Sequence, residues 1–70
     1  MDAKEAIEVI LRDEKAYKTS LNWAVDYCEA ARNMELGSYE LKVQCLYILN
    51  NIQKWRNPDA KEVRIALKKE

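Results

Sequence analysis

Histidine and phenylalanine are absent from this 70-residue sequence, and glycine and proline occur once each. Without histidine the chain lacks the commonest general base near neutral pH and the commonest metal-ligating side chain. A single glycine, Gly37, rules out the glycine-rich loops that cradle phosphates. The two cysteines, Cys28 and Cys45, are too few for the four N or S ligands of a structural zinc site. They also lack the Cys-x-x-Cys spacing that lowers a thiol pKa, so they read as small apolar side chains in a reducing compartment. No G-x-S-x-G or S-x-x-K element occurs. The long apolar run of a membrane span is missing, and charges interrupt the N-terminal stretch MDAKEAIEVILRDE where a signal peptide needs an apolar core. These absences predict a cytoplasmic, non-catalytic protein with no cofactor, no metal and no small-molecule substrate.

The scarcity of breakers also carries structural information. A chain rich in Ala, Leu, Glu, Lys and Arg is expected to be helical almost throughout. Seventy residues make one domain, residues 1–70. A chain of this length buries only about 60% of its unfolded surface, so it needs efficient packing or association.

Local signals divide the chain. Asp2 with Glu5 three residues later is a capping box, and Ala3, Ala6, Ile7, Ile10 and Leu11 follow at helical spacing, predicting a first helix to about residue 13. The same register continues through Tyr17, Leu21, Ala24, Cys28 and Ala31, interrupted by Glu14, so one long helix over 1–35 is an alternative. The cap-type residues Thr19 and Ser20 favour a break between 13 and 19 and a second helix over about 20–35. Gly37 is placed to end it in the left-handed conformation, and Ser38 to cap a third helix from 39 to about 56. Asn57, Pro58 and Asp59 then read as the N-cap, first position and dipole-facing acid of a fourth helix, with Ala60, Val63 and Leu67 inward.

Helices two and three read as an antiparallel hairpin. Leu21 with Ile52, Ala24 with Leu49, and Cys28 with Cys45 each sum to 73, the constant sum expected of facing positions; Tyr17 with Trp55 sums to 72. Small residues on helix two face large ones on helix three, as a packed interface requires. The expected fold is therefore an all-α small bundle of three or four short helices around this hairpin.

Helix three is apolar on two sides. Leu41, Cys45, Ile48, Leu49, Ile52 and Trp55 form one stripe; Tyr39, Val43, Leu46 and Tyr47 form another, roughly opposite. A helix of this kind is sandwiched between layers or shared with another chain. Helices one and four are expected to cover the second stripe, a dimer contact through Tyr39, Val43 and Tyr47 being the alternative. Trp23 falls off the stripe of helix two. Asn50 and Asn51 are poor mid-helix residues that ask for a capping or gripping role.

Twelve basic residues balance twelve acidic ones, but residues 1–40 hold nine acids and five bases, and residues 41–70 three acids and seven bases. The halves thus carry −4 and +4, which fits internal complementarity between helices or head-to-tail self-association. A neutral whole argues against general nucleic-acid affinity. A DNA-reading helix-turn-helix is also disfavoured, because helix three is the most apolar helix and Asn33 stands where a small residue is needed.

The stretch YELKVQCLYILNNIQKWRNPDAKEVRIALKK, through Leu41, Gln44, Tyr47, Leu49, Asn50, Asn51, Trp55-Arg56, Ala60, Glu62 and Val63, resembles small uncharacterised helical proteins of archaea, bacteria and phages. The resemblance covers about the last 30 residues, implies a helical fold, and carries no known activity, cofactor or catalytic residue to transfer. At Asn57-Pro58 a glycine-type turn would be as usual in that pattern, a departure that affects only the cap.

The functional expectation is a non-catalytic protein-interaction or structural module, a homodimer being one form of it. The candidate contacts are Trp23, Tyr39, Val43, Tyr47, Asn50 and Arg56, since aromatics and arginine dominate binding energy at interfaces. The alternative is a nucleic-acid-binding accessory protein whose basic C-terminal helix sets Lys61, Arg64 and Lys68 on phosphates.

Overall fold

A capping box opens the first helix as the sequence predicts. In the computed structural model, which describes residues 1–70, Asp2 accepts from the Glu5 backbone N–H at 2.8 Å and Glu5 accepts from the Asp2 N–H at 2.9 Å. Helix α1 then runs Ala3–Arg12, and α2 (Ala24–Ala31), α3 (Tyr39–Asn50) and α4 (Ala60–Lys68) complete the all-helical chain. Each helix packs on its neighbours in sequence, and α4 closes the ring against α1. The core is 18 buried residues, all apolar, drawn from every helix and from the segments between them. No buried side-chain polar atom lacks a partner.

The break after α1 is real, and longer than the cap residues suggested. A single turn of 3-10 helix, Glu14–Ala16, is followed by turns up to Trp23, and neither Thr19 nor Ser20 caps α2. Helix two therefore starts at Ala24 and ends at Ala31, well inside the expected 20–35, and Leu21 reaches the core from a turn. Gly37 does adopt the left-handed conformation, φ 81°, but six residues beyond the end of α2, so it serves the connection rather than the helix C-terminus. Ser38 caps α3 by accepting from the Leu41 N–H at 3.1 Å.

Helix α3 stops at Asn50, short of the expected 56; Ile52 and Trp55 lie buried in an irregular segment. Asn51 occupies the C-cap, its amide donating to the Tyr47 carbonyl at 2.8 Å, which supplies a reason for one of the two asparagines. Ahead of α4, Asn57 accepts from the Asp59 N–H at 2.8 Å, the predicted cap contact, although regular helix begins only at Ala60.

Other helix ends are finished by side chains from elsewhere in the fold. The last carbonyls of a helix have no intrahelical donors; a cation reaches the end of α2, and another reaches carbonyls in the irregular segment after α3. Lys4 on α1 donates from Nζ to the carbonyls of Ala31, at 3.1 Å, and Met34, at 2.6 Å, beyond α2. Arg64 on α4 donates from Nη2 to Ile52 O at 2.8 Å and Trp55 O at 2.9 Å, beyond α3. Glu70 accepts from the Gly37 N–H, and the Tyr17 hydroxyl donates to Leu11 O at the end of α1.

Candidate functional site

The hairpin register is directly visible in two contacts. The rings of Tyr27 and Tyr47 stack with centroids 5.7 Å apart and planes at 26°, and Gln44 Nε2 donates to Tyr27 O at 2.8 Å. The number sums, 74 and 71, bracket the predicted 73. Inside the hairpin Ala24, Cys28, Ala31, Leu41, Cys45 and Ile48 are all fully buried. Cys28 and Cys45 are free thiols. Burial, and for Cys28 the neighbouring Cys45, pushes them up to about 12 and about 11 respectively, so neither is a thiolate near neutral pH.

Outside the hairpin the second apolar stripe of α3 is not covered. Helix α1 packs on α2 and α4, and α4 packs on α1 and α3, yet Tyr39 remains 79% exposed, Leu46 56% and Tyr47 49%. The expected covering by helices one and four is therefore corrected. At ~100° per residue, Leu46, Tyr39, Asn50, Val43 and Tyr47 share one face of α3, diametrically away from the buried Leu41–Cys45–Ile48 side. Trp23, 67% exposed, and Tyr27, 37% exposed, extend that face along α2. At the far end a shallow groove floored by Thr19, Ser20 and Trp23 on one side and Asn50, Asn51, Gln53 and Lys54 on the other adjoins it.

The structure brings five of the six sequence candidates together: Trp23, Tyr39, Val43, Tyr47 and Asn50. Val43 is half-buried and Asn50 exposed. Arg56 is exposed in the connection after α3, off the helical run that carries the others. Tyr27 and Leu46 belong to the face but were not among the candidates. Tyr27 was findable, since it lies four residues from Trp23 and opposite Tyr47 in the hairpin register.

The basic set of α4 is split. Lys61 and Lys68 are exposed, whereas Arg64 is half-buried and committed through Nη2 to two backbone carbonyls. A phosphate would have to compete with those carbonyls for the guanidinium.

One polar cluster also ties the connections. Asp13 Oδ2 accepts from the indole N–H of buried Trp55 at 2.7 Å and from the Asn57 amide at 3.1 Å. These hydrogen bonds hold the Asp13 carboxyl below its ordinary value of 3.8. A groove beside it is lined by Arg12, Glu14, Lys15 and Asp59, exposed charges of both signs. The one ion pair of the molecule, Glu8 with Arg32 at 2.8 Å, clasps α1 to the end of α2; the Arg32 hydrogen bond lowers the Glu8 pKa. Trp55 is thus a core residue whose polar edge is satisfied.

No helix is long and apolar enough to cross a membrane. No family model, curated protein or solved structure matches the chain.

Proposed function

We propose that the protein is a small non-catalytic interaction module whose binding surface is the outer face of the α2/α3 hairpin. The observation that carries this reading is the grouping of Trp23, Tyr27, Tyr39, Leu46 and Tyr47, all exposed, on one side of a domain whose other large apolar residues are mostly buried. Contiguous exposed apolar patches mark interaction sites more often than scattered single residues do. Tyr and Trp offer large contact area while losing few rotatable bonds.

Site-specific photo-crosslinking in cells tests the reading. A photoreactive residue in place of Val43 should give adducts with a protein, whether another chain or a second copy, and Tyr47→Glu should abolish them. The same residue at position 61 should give none. Equal adduct yield at the two positions, or none at either, overturns the reading.

Phosphate binding by Lys61, Arg64 and Lys68 is the rival. It has less support, because Arg64 is held by carbonyls and the chain carries no net charge. It expects a salt-sensitive gel shift with nucleic acid, lost on replacing those three residues. No shift at low salt dismisses it.

A further inference from the structure

We infer that the occupant of the α2/α3 outer face is a second copy of this chain, related by a twofold axis parallel to the helices, so that α2 of each copy packs against α3 of the other. This rests on the aromatic face being the binding surface, and adds to it the partner and the arrangement.

Area is the first support. With about 200 Å² for a large side chain, the exposed fractions of Trp23, Tyr27, Tyr39, Leu46 and Tyr47 sum to roughly 600 Å², against ~800 Å² per partner in a standard interface. The flanking Asn50, Val43 and rim residues bring the total into that range. A homodimer interface is the kind with an apolar, aromatic centre and charge at its edge.

Charge selects the arrangement. Beyond Trp23 the outer flank of α2 carries Asp26 and Glu29; beyond Leu46 the outer flank of α3 carries Lys42. All three are exposed and none is in an ion pair. The α2 edge is therefore acidic, since Arg32 beside Glu29 is committed to Glu8. The outer α3 edge carries Lys42, while the exposed Glu40 lies on the inner side of α3 next to Tyr47. Two copies can meet face to face through a twofold axis across the helices, which sets the α2 edges together and opposes acid with acid. A twofold axis along the helices instead brings the α2 edge of each copy over the α3 edge of the other.

Height then pairs the residues. Facing positions in the hairpin sum to about 73, as the Tyr27–Tyr47 stack and the Gln44–Tyr27 bond show. Glu29 thus stands level with position 44, two residues or about 3 Å along the helix from Lys42. Rotation about an axis parallel to the helices leaves heights unchanged. Glu29 of one copy therefore meets Lys42 of the other, twice per dimer, while the two tyrosine stacks come together at the centre. An isologous contact requires this reciprocity.

Sedimentation velocity over a range of concentrations tests the proposal, with circular dichroism confirming that each variant keeps its helicity. The wild-type chain should dimerise, and Tyr47→Glu should weaken association by about 30-fold or more. Lys42→Glu and Glu29→Lys should each weaken it about 5-fold, because each sets like charges opposite one another at both edges. Mixed in equal amounts, the two variants should associate to within about 2-fold of wild type, since each charge reversal then faces its complement. A dimer lost with Tyr47→Glu, but with the mixture no tighter than its components, overturns this arrangement and leaves the face as the interface. A chain that stays monomeric overturns self-association, while crosslinks from position 43 to another protein would still uphold the module. A dimer untouched by Tyr47→Glu overturns both.

Discussion

Helices α1 and α4 differ from the α2/α3 hairpin in what they do with their apolar residues. On α1, Ala3, Ala6, Ile7, Ile10 and Leu11 are buried, and on α4, Ala60, Val63, Ala66 and Leu67; Ile65 is the one large residue left exposed between them. Their outward faces are charged, and their apolar surface is consumed by folding. The hairpin fills the core equally well from its inner side, yet keeps four aromatic rings and Leu46 outside. Composition already separates the two pairs, since every aromatic residue inside a helix belongs to α2 or α3. The difference teaches that the hairpin holds more apolar surface than a 70-residue fold can use, and the surplus is concentrated rather than scattered.

The two tryptophans make the sharpest probe of that contrast. Trp55 is buried and hydrogen-bonded; Trp55→Ala should cost about 3–5 kcal/mol, enough to abolish most of the stability of a domain this small. Thermal denaturation followed by circular dichroism reads the loss. Arg64→Met should come next, at about 1.5–3 kcal/mol, because two half-buried carbonyls beyond α3 lose a charged donor. A Tm within error of wild type for this variant would mean that water replaces the guanidinium fully.

Asp13→Ala should cost about 1–3 kcal/mol by leaving the Trp55 indole N–H without its acceptor. The same group gives a pH signature. Its folded pKa lies below the unfolded value, so its stabilisation is fully present above the ordinary carboxylate range and is lost as pH falls through the folded value. Glu8, lowered by Arg32, acts in the same direction. Stability should therefore drop on acidification below about pH 4, and the drop should be shallower in Asp13→Ala. The smallest effect belongs to Trp23→Ala, expected to shift stability by no more than about 0.5 kcal/mol. Iodide should quench Trp23 fluorescence in the monomer and leave Trp55 emitting.

Much of this fold was legible in the sequence because its signals are local. The Asp2–Glu5 box, the Ser38 cap, the Asn57–Asp59 turn and the left-handed Gly37 each depend on residues within a few positions of one another. The hairpin register was legible too, since apolar spacing reports which positions face the core. What that spacing does not report is backbone state. Leu21, Ile52 and Trp55 keep the helical phase and reach the core, but from turns, and so the predicted helices two and three were too long. The exposed face was half legible. Its stripe could be traced, but whether α4 would cover it depended on which side of α3 the fourth helix docks. Long-range polar contacts left no trace at all. Nothing in the neighbourhood of Lys4 or Arg64 announces the carbonyls they meet, 27 and 9 residues or more away.

Those cationic caps bear on how the chain comes apart. A helix closed by its own glycine can fray by itself, whereas the end of α2 is held by α1 and the segment that follows α3 is held by α4. Releasing either outer helix strips charged donors from carbonyls elsewhere in the fold, so local opening propagates into loss of the whole. Native-state amide exchange should accordingly show the late residues of α2 and α3 opening with the same free energy as α1 and α4, one cooperative unit rather than a graded series. A chain so short, with so little backbone punctuation, thereby behaves as all-or-none.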